Sequence, residues 1–126
     1  MKYDIACLVV GAILGTLLRY RITGEHLVFN NLPISVLIVN IVGSFILGSS
    51  STAITRLGLD PRYTLLIGIG FCGALTTMSS FAFETMGLID LGEIVLAVLN
   101  ILCNVGASIL AVFAGRAIIL FLLGAS

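Results

Sequence analysis

Tryptophan is absent from this chain, histidine and proline occur once and twice, and only 10% of the residues are charged. So little charge excludes an ordinary solvated surface. Its even split, six basic against six acidic residues, leaves no basic field for a nucleic-acid backbone, so no nucleic-acid partner is expected. The three cysteines, Cys7, Cys72 and Cys103, form no CxxC pair and lie in apolar runs. That argues against a disulfide framework or a zinc site and for small core residues. What remains is 60% hydrophobic, with a mean hydropathy of +1.24. The chain reads as one all-α integral membrane domain spanning residues 1–126, with the lipid bilayer as its solvent.

A membrane-spanning helix needs roughly 20 apolar residues, and the spacing of charges marks four of them, at about 3–22, 32–55, 63–88 and 94–117 or beyond. Lys2 before an apolar run imitates a signal peptide, but no cleavage site precedes Arg19, so the first run is expected to be a retained helix. Both termini then share one side. Lys2, Arg56 and Arg62 on that face are opposed by Arg19 and Arg21 on the other, too small a bias for the positive-inside rule to choose an orientation. Such balance fits insertion in both directions, and equally a weak unresolved bias. Four helices make a thin wall for a transport path, so oligomerisation is expected. Gly11 and Gly15, Gly43 and Ser44 after Asn40, and Ala107 with Ala111 supply small residues for close helix contact.

Polar side chains at membrane depth are functional candidates because hydrocarbon offers them no partner. Asn40 sits inside an uncharged run, where it either bonds a neighbouring helix or lines a path. Asn100, Asn104 and Ser108 are spaced i, i+4, i+8 and so share a helix face. Such a stripe either joins helices or replaces the water of a small ion stepwise without trapping it. Arg19 either draws anions into a vestibule or snorkels to headgroups. His26 reads as a solvated loop residue.

The stretch from Gly70 to Glu84, GFCGALTTMSSFAFE, is the most unusual. Glycines followed by hydroxyl residues predict backbone that leaves the regular helix at membrane depth, tolerated only where protein or a polar cavity satisfies it. Met78 and Phe81 should share a face, with Thr76 and Ser80 pointing elsewhere. The electropositive edge of the Phe81 ring could meet an anion. Glu84 lies one turn beyond Ser80, close enough in register for a hydrogen bond. It admits three roles: a proton-coupled carboxylate, part of an anion path, or an interfacial residue.

Three segments resemble the Fluc or CrcB fluoride channels: Gly11 to Arg19 with Leu18-Arg19-Tyr20, Asn40-Ile41-Val42-Gly43-Ser44-Phe45, and Gly70 to Glu84, which is similar to the family pattern GFxGGxTTFSTF followed by glutamate. The resemblance implies a dual-topology antiparallel homodimer in a prokaryotic plasma (inner) membrane, with two pores that let cytoplasmic fluoride leak out passively. It implies a broken third helix whose Gly73 and Thr76 carbonyls hold a structural sodium ion. It places Asn40, Ser80, Phe81, Glu84, Asn104 and Ser108 on the anion path and Arg19 in the vestibule. Met78 stands where the family has its first pore phenylalanine, Ala74 replaces a glycine, and Asn100 falls where a tyrosine is common. A proton-coupled small multidrug exporter is the rival reading, but the first helix has no carboxylate after Asp4.

Overall fold

The computed structural model describes residues 2–25 and 27–124, with the side chains of Lys2 and Tyr3 left aside; His26 lies outside the described residues. Four helical spans are long and apolar enough to cross a membrane: Asp4–Gly24, Ser35–Leu57, Thr64–Asp90 and Ile94–Leu122. The first belongs to helix α1, Lys2–Gly24, and the second is α2, Ser35–Leu57. Between them lies a short hairpin of β1, Val28–Phe29, and β2, Leu32–Pro33, paired antiparallel. Its turn is Asn30-Asn31, with φ of 48° and 67°, the left-handed conformation a two-residue hairpin loop requires and asparagine tolerates. Residues 32 and 33, expected in the second helix, are therefore strand. Pro33 has no N–H to give a helix interior.

α2 ends where Gly58 turns left-handed and its N–H bonds back to the Ile54 carbonyl, a glycine stop of the usual kind. The third span is composite. A π-helix runs over Thr64–Cys72, followed by a single turn, α3, at Gly73–Leu75, and then by α4, Met78–Asp90. α5, Ile94–Leu122, completes the bundle.

Two glycine contacts decide how the helices pack. A Cβ on Gly11 would overlap the Leu66 carbonyl oxygen, and one on Gly15 the Phe71 carbonyl oxygen. The GxxxG pair thus seats α1 directly on the π-helix of its own chain, rather than lying free for a second copy. Gly48 and Gly115 do the same for α2 and α5, against the carbonyls of Val112 and Phe45 respectively. Gly43 faces the Thr76 methyl at 2.5 Å from where its Cβ would be, so it too is used within the chain. Asn40 meets Asn104 and Gly48 meets Val112, equal steps along both helices, so α2 and α5 run parallel. At the end of the bundle where α1 begins, Asp4 and Arg62 form an ion pair at 3.4 Å.

Candidate functional site

The site begins with two residues that leave helical geometry. Thr76 and Thr77 are extended, with φ/ψ of −75°/152° and −150°/113°. In a continuous helix the Thr77 N–H would bond the Gly73 carbonyl. Here it donates to Asn40 Oδ1, 2.8 Å away on α2. A buried backbone donor is costly to leave unpaired, so the asparagine in mid-helix is what lets the chain depart from the helix at this depth. Thr77 then starts α4 as its N-cap: its Oγ1 accepts the Ser80 N–H at 3.2 Å and its hydroxyl donates to Ser80 Oγ at 3.1 Å, satisfying one of the orphan donors of the first turn.

From Asn40 the polar contacts continue across the bundle. Its Nδ2 donates to Asn104 Oδ1 at 3.0 Å. Asn104 Nδ2 donates to Asn100 Oδ1 at 2.9 Å and to the Asn100 carbonyl at 3.1 Å. Asn100 Nδ2 donates to Thr85 Oγ1 at 3.0 Å, and that hydroxyl donates to the Phe81 carbonyl at 2.9 Å. Three amides and a hydroxyl thus tie α2, α5 and α4 together. Asn100 is completely buried and Asn104 and Thr85 nearly so.

Beside this ladder opens a cavity of about 400 Å3. Asn40, Gly73, Thr76, Met78, Phe81, Asn104 and Ser108 all line it, so seven of the residues singled out by sequence converge on one space. None of the described residues on its wall is charged. Thr76, expected to point away, lines the cavity together with Met78 and Phe81, because the extended backbone breaks the helical register that the expectation assumed. Phe81 is buried, whereas Met78 is 72% exposed.

Three expected residues lie elsewhere. Ser80 turns back to Thr77 rather than toward Glu84. Glu84 Oε2 is buried and has no hydrogen-bond partner among the described residues; the Oγ of Ser108, a residue of the cavity wall, shares that state. Arg19 is half-buried near the end of α1, outside the cavity wall. Thr85 was not singled out by sequence. Its only signal is a hydroxyl one turn after Phe81, and the cross-helix partner that gives it meaning is visible only in the fold.

Amides, hydroxyls and an aromatic ring without fixed charge can replace part of the hydration of a small ion and still release it. Four apolar spans, of which α2, the third span and α5 line such a cavity, define a small polytopic membrane protein of the transport type. Residues 6–116 match the family described as CrcB-like protein, Camphor Resistance (CrcB), and the chain belongs to that family. The fluoride-specific ion channel FluC of Methanocaldococcus jannaschii is 44% identical over 111 residues, 88% of this chain and 90% of that protein. The protein of the same name from Nitrosopumilus maritimus is 46% identical over 111 residues, 88% of each chain. That from Pyrococcus horikoshii is 42% identical over 112 residues, 88% of this chain and 91% of its own. These relatives are named as ion channels, not as enzymes.

Proposed function

We propose that this chain is a fluoride-selective channel of a prokaryotic plasma membrane, through which cytoplasmic fluoride leaves passively. The observation that carries the reading is the uncharged cavity in which Asn40, Asn104, Ser108 and the buried Phe81 meet, in a chain whose relatives are named fluoride-specific channels. Fluoride is small and strongly hydrated. Amide and hydroxyl hydrogens and the positive edge of an aromatic ring can contact it weakly, while a fixed cation would hold it too long.

The functional unit is proposed to be an antiparallel homodimer of dual topology with two pores. Near-balanced charge on the two membrane faces permits both insertions. Among the described residues Ser108 Oγ and Glu84 Oε2 have no partner; an anion, a water or a second copy would satisfy the Ser108 hydroxyl as a donor, and a water or a second copy the Glu84 oxygen as an acceptor, since buried polar groups are costly when left unpaired. Arg19 would stand in the vestibule, and Ser80 and Glu84 along the path beyond the cavity.

A structural sodium ion fits the third span. With the Thr77 N–H given to Asn40, the Gly73 carbonyl loses its helical donor, and the extended Thr76 leaves its own carbonyl outside any helical turn. Carbonyl oxygens are the donors a hard cation takes. Gly73 and Thr76 would hold it at the break in the helix, with the second copy contributing the same pair. Its charge would offset the cost of nearby anions.

Proton-coupled drug export is not favoured, because α1 carries no acid beyond Asp4 in its first turn and the relatives are named as channels. Expression in a bacterium lacking its own fluoride exporter tests the proposal. Growth at fluoride concentrations toxic to the empty strain is expected, without added resistance to cationic drugs. Membrane-inserted protein that gives no fluoride resistance would sink it.

A further inference from the structure

An asparagine side chain can be turned so that either its oxygen or its nitrogen faces a neighbour, and only the hydrogen-bond network decides. Here the two ends of the network are backbone groups with no choice. The Thr77 N–H can only donate, so Asn40 must present Oδ1 to it, at 2.8 Å. The Phe81 carbonyl can only accept, so the Thr85 hydroxyl hydrogen goes to it, at 2.9 Å. The Thr85 oxygen is then an acceptor for Asn100 Nδ2, at 3.0 Å. Every amide between these ends is oriented by its neighbours, and all the bonds point the same way, from Thr77 toward Phe81.

This order has a consequence for the cavity. Asn104 directs both of its amide hydrogens at Asn100, to the side-chain oxygen at 2.9 Å and the carbonyl at 3.1 Å. Nothing of its donor capacity is left for a ligand. Asn40 spends one hydrogen on Asn104 Oδ1 at 3.0 Å, while the other has only the Thr77 carbonyl at 3.5 Å, too far for a strong bond. Asn100 lines no part of the cavity, and neither does Thr85.

We infer that Asn100, held by Thr85, is a positioning residue that takes both amide hydrogens of Asn104 and so leaves Asn40, among the described residues, as the one side-chain amide on the cavity wall free to donate to an anion. The inference rests on the channel reading for the anion, and on the ladder alone for the orientation. It divides the two cavity asparagines, which sequence treats alike, into a donor to the ligand and an acceptor that steadies that donor.

The test uses full-length, nitrogen-15-labelled protein in detergent micelles, with Thr85→Val, which keeps shape but loses the hydroxyl, and Thr85→Ser, which keeps the hydroxyl. In the native protein the Asn104 side-chain amide hydrogens should exchange with solvent more slowly than the second hydrogen of Asn40. Replacing sodium chloride by sodium fluoride at equal ionic strength should shift the Asn40 amide signals and leave those of Asn104 in place. Thr85→Val should free Asn100 to turn, accelerate exchange at Asn104 and make it fluoride-sensitive, and Thr85→Ser should restore the native pattern. Fluoride flux per folded protein in liposomes should fall about tenfold in Thr85→Val, the scale of one lost hydrogen bond, and recover in Thr85→Ser. A Thr85→Val protein that melts earlier but conducts normally would reduce Thr85 and Asn100 to structural supports and overturn the inference. So would an Asn104 amide that responds to fluoride as strongly as Asn40 in the native protein. If the native protein neither conducts nor shows fluoride shifts, the channel reading falls and the anion half of the inference with it; exchange at Asn104 still decides the ladder.

Discussion

Replacing Gly48 by alanine adds one methyl group where α2 touches the backbone of α5. The new carbon would overlap the Val112 carbonyl oxygen and lie 2.9 Å from its carbonyl carbon. Backbone carbon–oxygen contacts between helices are comfortable at about 3.3 Å or more, so the two helices must part by roughly 1 Å. Overpacking of this kind costs about 1–3 kcal/mol, offset in part by up to ~1 kcal/mol from alanine's better helix propensity. Parting also stretches the 3.0 Å bond between Asn40 and Asn104, a link worth about 0.6 kcal/mol on average between membrane helices. The net expectation is destabilisation of about 1–3 kcal/mol. Gly106→Ala on α5 is the comparison, because a Cβ there meets no atom of the chain within 4 Å and alanine should stabilise the helix by about 0.5–1 kcal/mol. Heat-induced unfolding of the purified variants in one detergent reads both. A Gly48→Ala protein that melts at or above the native temperature would refute the packing argument.

The cap at Thr77 predicts that Thr77→Ala lowers stability by about 1 kcal/mol and that Thr77→Ser largely keeps it, measured by the same thermal unfolding. Phe81→Ile keeps an apolar volume and removes the ring edge; it should cut fluoride flux in liposomes by about fivefold, since aromatic edge interactions are of order 1 kcal/mol, with the oligomeric state unchanged on a sizing column. Met78→Phe supplies a second ring on the cavity wall and should raise fluoride flux over that of the native protein. Unchanged flux would remove Met78 from the path.

The four spans were legible in the sequence because charges punctuate the uncharged runs, and the ends shifted only where local chemistry intervened. Pro33 and the Asn30-Asn31 turn convert the expected start of α2 into a hairpin. The π-helix was not legible, because the apolar run Thr64–Cys72 carries no pattern that separates it from an α-helix, and its contact with Gly11 and Gly15 is made by another element. A GxxxG pair signals close contact without naming the surface contacted, which is why these glycines pointed to a second copy and pack within the chain instead. Asn40, Asn104 and Ser108 stood out as polar groups in apolar runs and do meet at the cavity. Thr85 did not stand out, and Asn100 read only as one more member of a stripe, because their meaning lies in which neighbour each side chain reaches across the bundle.

The channel reading is tested most directly by ion efflux from liposomes holding purified native protein, with the voltage clamped by a potassium ionophore. Rapid loss of fluoride down its gradient, with chloride largely retained in parallel vesicles, is the predicted result. Well-folded protein that releases no fluoride, or that releases chloride equally fast, would contradict it.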